Sequence, residues 1–283
     1  MTILEFKQFF KDELSILLYT DSESAHLYDI FIEKITGLDP FNQRRHLQKQ
    51  LQLSEEKQLH DVICDLKTGK PYQQILGETE FYGLRFFVDE NVLIPRPETE
   101  ELLELAIEKL KNSGYNSPKI IDIGTGSGVI PIILKKHFPN AQVYSVDFSE
   151  SALKTAQKNA DLHEVLIQFI HSDYLSFELE EMYDVIISNP PYIGMEEEIE
   201  IEDSVKDFEP KMALFSPTSD ALIFYRKIAQ DAVKNLKKGG WIFLEINQKL
   251  GKETLDLYQN ENFENAELLK DISGNDRFIV VRK

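Results

Sequence analysis

Hydrophobic residues along this chain keep three different rhythms, and the changes between them divide it. Over residues 1–70 apolar side chains recur every three or four positions: Leu14, Leu17 and Leu18, then Leu27, Ile30, Phe31 and Ile35, then Leu59, Val62, Ile63 and Leu66. That spacing predicts amphipathic helices. Ser54, Glu55 and Glu56 open the last of them, and Gly69 with Pro71 closes it. A small helical domain is expected here. Residues 71–96 change character, with a dense aromatic run from Phe81 to Val88 and a second apolar run from Val92 to Ile94. This predicts a β-hairpin turning at Asp89-Glu90-Asn91 and connecting two domains. Pro95 and Pro97 then lead into a helix with Leu102, Leu103, Ala106, Ile107 and Leu110 on one face.

From residue 119 the rhythm alternates on a longer scale. Apolar runs at 119–123, 142–146, 166–170, 183–188 and 240–246 are separated by helical patterns at about 128–138, 149–162 and 219–236. Such alternation implies a mainly parallel sheet with helices on both faces, an α/β domain spanning 97–283. Late runs at 266–270 and 277–281, joined through Ser273-Gly274-Asn275, predict an antiparallel edge.

Composition narrows the function classes. Hydrophobic content of 42% and aromatic content of 11% indicate a well-cored protein. The net charge of −18, from 31 basic and 49 acidic residues, argues against a direct nucleic-acid partner and suits either a basic protein partner or plain solubility. The single cysteine, Cys64, excludes an internal disulfide framework and fits a reducing cytosol. Residues 1–10 do not read as a signal peptide, and no apolar stretch approaches the roughly 20 residues of a membrane span. A cytoplasmic protein with no membrane contact is expected. His46 and His60 lack ligands at metal spacing, so no metal is expected either. The acidic run at 196–203 reads as a solvated segment.

The candidate chemistry sits where strands end. Asp122, Gly124, Thr125, Gly126, Ser127 and Gly128 form a glycine-rich turn between the first strand and first helix of the alternating region. Glycines there free backbone N–H groups and admit a ligand closely. A dinucleotide fingerprint would need glycine or alanine at Val129 or Pro131, and no P-loop lysine follows. Asp147 ends the second strand, where a carboxylate accepts ribose hydroxyls. Asp173 and Tyr174 follow the third, suited to an adenine amino group and ring face. The fourth strand ends in Asn189-Pro190-Pro191-Tyr192. The Asn189 side-chain carbonyl and the Pro190 backbone carbonyl could both accept from one NH2 group, on a backbone stiffened by two prolines, with Tyr192 stacked on the planar group. An adenosine site without phosphate chemistry, beside a nitrogen-activating motif, points to S-adenosyl-L-methionine and its product S-adenosyl-L-homocysteine.

With these motifs in place, the chain resembles the bacterial protein-(glutamine-N5) methyltransferases of the PrmC/HemK family, which modify class-1 peptide chain release factors. The resemblance runs over nearly the full length, through Phe81-Tyr82-Gly83, the 92–100 segment ending Ile94-Pro95-Arg96-Pro97-Glu98-Thr99-Glu100, the glycine turn, the 188–193 segment, Glu209-Pro210, Tyr225-Arg226 and Asp276-Arg277. It implies a Rossmann-like class I methyltransferase sheet, with the helical domain (1–70) recognising a release factor and the hairpin (71–96) as connector. It implies that residues 124–128, Asp147, Tyr174 and Asn189 contact the cofactor, and that Asn189, Pro190, Pro191 and Tyr192 hold the glutamine of a Gly-Gly-Gln tripeptide. Arg96 and Thr99 would help close the cofactor site. The chain departs from the family pattern at Glu245-Ile246-Asn247-Gln248, at 215–220 and at Pro131. The alternative function is N-methylation of adenine or guanine amines in nucleic acid, which would use the same four-residue motif but normally a basic surface.

Overall fold

The computed structural model describes residues 1–17, 19–193, 207–259 and 262–283. The acidic run at 196–203 and Leu18 lie outside them. The chain forms two compact units, one of Met1–Gly77 with Asp207 and Phe208, the other of residues 78–193 and 209–283.

The first unit is helical: α1 (Ile3–Ser15), α2 (Asp21–Thr36), α3 (Pro40–Arg45), α4 (Leu53–Lys67) and α5 (Tyr72–Leu76). Thr2 with Glu5 and Thr20 with Glu23 form reciprocal capping boxes, which satisfy the amides that open α1 and α2. Phe6, Phe10 and Leu14 of α1 pack with Tyr28, Phe31 and Ile32 of α2 and Leu59, Ile63 and Leu66 of α4. His60 meets Phe6 and Phe9 edge-on at 5.3 and 5.0 Å, a packing role. No cluster of three or more potential metal ligands occurs among the described residues.

The second unit opens with a hairpin of β1 (Glu78–Phe81) and β2 (Leu84–Phe87). Its turn lies at Tyr82-Gly83, not at 89–91, and residues 91–94 form no strand. The reason is local. Tyr82 (φ 54°) and Gly83 (φ 68°) are both left-handed, the two-residue turn whose twist matches the flanking strands. Asp89 instead bends the later segment, its Oδ1 accepting from the Asn91 amide at 2.8 Å.

α6 (Pro97–Asn112) follows, with Pro97 in its first turn. Next come β3 (Lys119–Ile123), α7 (Val129–His137), β4 (Gln142–Asp147), α8 (Glu150–Leu162), β5 (Gln168–His171) and β6 (Tyr183–Ser188). The short α9 (Lys211–Leu214), α10 (Ile223–Asn235), β7 (Leu236–Glu245), α11 (Gly251–Asp256), β8 (Asn265–Lys270) and β9 (Asp276–Arg282) complete the unit. Strand order is β5-β4-β3-β6-β7-β9-β8. The first five are parallel, while β9 runs antiparallel to both β7 and β8. One core covers each face: Leu103, Ile107, Ile133 and Phe243 on one side, Ile121, Ile186, Tyr225 and Ile242 on the other. Pro131 is tolerated at the third position of α7, because amides in a first helical turn have no intrahelical acceptor. Strand order reverses between β3 and β6, so the crevice outside their carboxyl ends is the natural ligand site of such a sheet.

Candidate active site

A cavity of 520 Å³ lies in that crevice, within the second unit. Its walls bring together Arg96, Thr99, Gly124, Thr125, Gly126, Ser127, Asp147, Asp173, Tyr174, Asn189, Pro190 and Pro191, from strand ends and loops far apart in sequence.

The glycine turn and Asp147 form one hydrogen-bonded body. Asp147 Oδ2 accepts from the Gly126 amide at 2.9 Å, and Oδ1 accepts from the Ser149 amide at 2.8 Å. Burial pushes the carboxyl above its ordinary range, against those backbone donors. Behind the turn, Asp122 is fully buried on β3. Its Oδ2 accepts from Ser145 Oγ at 2.6 Å, and Ser145 Oγ lies 2.7 Å from Thr125 Oγ1. Asp122 Oδ1 has no hydrogen-bond partner, and desolvation pushes this carboxyl up to about 8. A neutral acid is the form such a site favours.

Tyr174 is buried with its hydroxyl donating to Asp231 at 2.7 Å, while Lys227 holds the same carboxylate at 2.6 and 2.7 Å. Arg96 donates to Glu209 Oε1 at 2.6 Å, and the other oxygen of this buried glutamate accepts from the Ile94 amide at 3.0 Å. The 92–96 wall is thereby tied to the segment that leads into α9. Asn189 Nδ2 donates to Thr99 Oγ1 at 3.2 Å, and Thr99 Oγ1 donates to Glu245 Oε2 at 2.7 Å.

Two expected site residues do not line the cavity. Gly128 caps α7 at φ 84°, and a Cβ there would meet that of Ala156 at 3.1 Å, so helix packing accounts for this glycine. The Tyr192 ring is half-buried against the core that holds Tyr225 and Leu244, and its backbone carbonyl accepts from Asn247 Nδ2 at 3.4 Å. Tyr192 thus lies outside the wall that Asn189, Pro190 and Pro191 form. Other walls went unread in the sequence: Asn91, Val92 and Leu93; Phe148; and Met212, Ala213, Phe215, Ser216 and Phe224. Ser216 joins this wall through its amide, which donates to the Ile193 carbonyl at 2.9 Å. Glu245 carried one overlooked signal, a lone acid inside an otherwise apolar strand end.

Residues 101–205 match the family model for the methyltransferase small domain. Among curated relatives, the release factor glutamine methyltransferase of Flavobacterium psychrophilum is 54% identical over 226 residues, covering 79% of each chain. The protein of the same name from Bacteroides thetaiotaomicron is 36% identical over 272 residues, 95% of this chain and 92% of its own. That from Streptococcus pneumoniae is 42% identical over 237 residues, 83% of each. The chain belongs to the release factor glutamine methyltransferase family. Solved structures agree on the fold. A methyltransferase from Pyrococcus furiosus superposes with a TM-score of 0.50 at 17% identity, covering 71% of this chain and 89% of that one. A 16S rRNA methyltransferase from T. thermophilus gives 0.51 at 20% identity, covering 73% and 49%. The second unit is therefore a Rossmann-like class I methyltransferase sheet, as family membership requires.

Proposed function

We propose that this protein transfers a methyl group from S-adenosyl-L-methionine to the side-chain amide nitrogen of the glutamine in the Gly-Gly-Gln motif of class-1 peptide chain release factors, in the cytoplasm. One observation carries the reading: Asn189, Pro190 and Pro191 line the same cavity as Asp147 and the glycine turn. Membership of the release factor glutamine methyltransferase family supplies the substrate class.

The residues fit the cofactor. A 520 Å³ cavity suits a nucleoside-sized ligand. Each Asp147 oxygen accepts one backbone N–H and keeps lone-pair capacity for ribose hydroxyls. Arg96, a cation on the wall, is engaged by Glu209, consistent with a ligand that brings no phosphate. When bound, the cofactor supplies an electrophilic methyl on a sulfonium. Asp147, the 124–127 turn, Asp173 and Tyr174 hold its nucleoside, and Arg96 helps close the site.

The chain's own task is to orient a poor nucleophile. An amide nitrogen shares its lone pair with its carbonyl. Asn189 Oδ1 and the Pro190 carbonyl accept the two N–H bonds and turn one lobe of the nitrogen toward the methyl. As positive charge develops on nitrogen its protons become better donors, so both hydrogen bonds strengthen in the transition state, and loss of one proton to water then leaves the neutral methylated amide. Pro191 stiffens this wall. Tyr192 supports it from the core side. The helical domain of residues 1–70, within the Met1–Gly77 unit, recognises the release factor.

Mass spectrometry of a release factor incubated with the protein and S-adenosyl-L-methionine tests this. The expected result is one added methyl, mapped to the glutamine of Gly-Gly-Gln. An unmodified factor alongside methylated bases in added RNA would overturn it.

A further inference from the structure

Thr99 lines the cavity and Glu245 lies behind it, and both are almost fully buried beside Asn189, with exposures of 3% and 1%. They come from the first turn of α6 and the end of β7, and 146 residues separate them. Burying a carboxylate costs free energy that a solvent-facing acid would avoid, so its partners here call for an explanation.

We propose that Thr99 and Glu245 form a positioning pair that fixes which end of the Asn189 amide faces the cavity. The argument rests on counting hydrogens. An ionised carboxylate only accepts, and a hydroxyl has one proton. Thr99 Oγ1 commits that proton to Glu245 Oε2 at 2.7 Å. It is left with lone pairs toward Asn189, so it must meet the NH2 end of the amide, found at 3.2 Å. A flipped Asn189 would set its carbonyl oxygen against those lone pairs. With Nδ2 committed to the pair, Oδ1 is left for the cavity side. The pair thus presents an acceptor, not a donor, to the incoming glutamine NH2. This inference rests on the role given to Asn189 above.

Glu245 is also poised to lose this function on protonation. Burial pushes its carboxyl up to about 7, while hydrogen bonds from Thr99 and Asn189 and the charge of Arg277 oppose that shift and Glu98 adds to it. Tyr192 and Tyr225 also face it, and the Tyr225 hydroxyl donates to the Glu245 backbone carbonyl at 3.1 Å rather than to the carboxylate. A protonated Glu245 would donate to Thr99, free the hydroxyl proton and permit the flipped amide.

The test compares Thr99→Val, Thr99→Ser and Asn189→Ala in the full-length protein, with a release factor as substrate. Turnover at saturating cofactor, KM for the release factor and calorimetric affinity for S-adenosyl-L-homocysteine are measured. Asn189→Ala is expected to lower turnover on the order of 100-fold. Thr99→Val, of nearly equal shape, is expected to lower turnover roughly 10-fold or more, a larger change than in KM or in product affinity. Thr99→Ser, which keeps the hydroxyl, restores most of the rate. If Asn189→Ala is crippled but folded Thr99→Val turns over normally, the positioning pair is refuted and the role of Asn189 stands. If Asn189→Ala itself turns over normally, that role is wrong and the pair goes with it. The unmodified protein gives a check that no folding failure can obscure: its single-turnover rate should fall as pH drops below about 7 at saturating cofactor. A rate that rises as pH falls below about 7 would refute the pair.

Discussion

Asp147 Oδ2 accepts the Gly126 amide at 2.9 Å, so the acid at the end of β4 and the glycine turn after β3 are one structural object. Removing the carboxylate therefore does two things: it deletes the proposed ribose acceptor and frees an amide of the turn. Asp147→Ala should weaken S-adenosyl-L-homocysteine binding by about 1–3 kcal/mol, the cost of unpaired polar groups. Isothermal calorimetry on the folded variant measures it, and undiminished affinity would remove Asp147 from the site.

Asp122 makes stability depend on pH. Its carboxyl moves from 3.8 in the unfolded chain to about 8 in the buried site. Between those values the folded state holds a proton that the unfolded state has released. The contribution is therefore complete below the unfolded value and is lost as pH rises through the folded one, at up to about 1.4 kcal/mol per pH unit. Glu245, pushed up to about 7, adds the same sign over a narrower window. Asp122→Asn is neutral at every pH, so its urea midpoint relative to the unmodified protein should climb between about pH 5 and 8. A constant difference would mean that Asp122 is not buried as an acid.

Gly128 is held to glycine by its left-handed φ of 84° and by the Ala156 methyl group, which a Cβ would approach to 3.1 Å. Gly128→Ala should destabilise the protein by about 1–3 kcal/mol, through backbone strain and overpacking of α7 on α8. Thermal melting with and without S-adenosyl-L-homocysteine separates this from a binding defect. An unchanged melting temperature together with lost binding would return Gly128 to the ligand site.

Recognition of the substrate should follow protein complementarity. With 49 acidic and 31 basic residues, the chain has no excess of cations to release counterions from RNA. Affinity for single-stranded RNA should be weak at physiological salt. A complex with nanomolar affinity and a steep salt slope, of about four or more released ions, would favour the nucleic-acid function instead.

Local sequence was enough wherever the deciding interaction is short-range. The 3.6-residue rhythm placed α6 and α8 within a residue or two, and the apolar runs located β3, β4 and β6, because strands buried on both faces must be apolar along their length. The glycine turn and Asn189-Pro190-Pro191 were legible for a related reason: backbone freedom and stiffness are properties of the residue itself. The hairpin turn was misplaced because Asp89-Glu90-Asn91 has turn composition too, and only Tyr82 in a left-handed conformation reveals the tighter reversal at Tyr82-Gly83. Tyr192 shows the opposite limit. Its burial depends on the core it packs against, which no neighbour in sequence specifies. Thr99, Asn189 and Glu245 lie on three separate elements, and their meeting needs β6 paired with β7 and the start of α6 set against both strand ends. Residue type alone says that a threonine hydroxyl has one proton to give. Tertiary structure decides that a buried carboxylate takes it, and so which end of Asn189 is left to face the cavity.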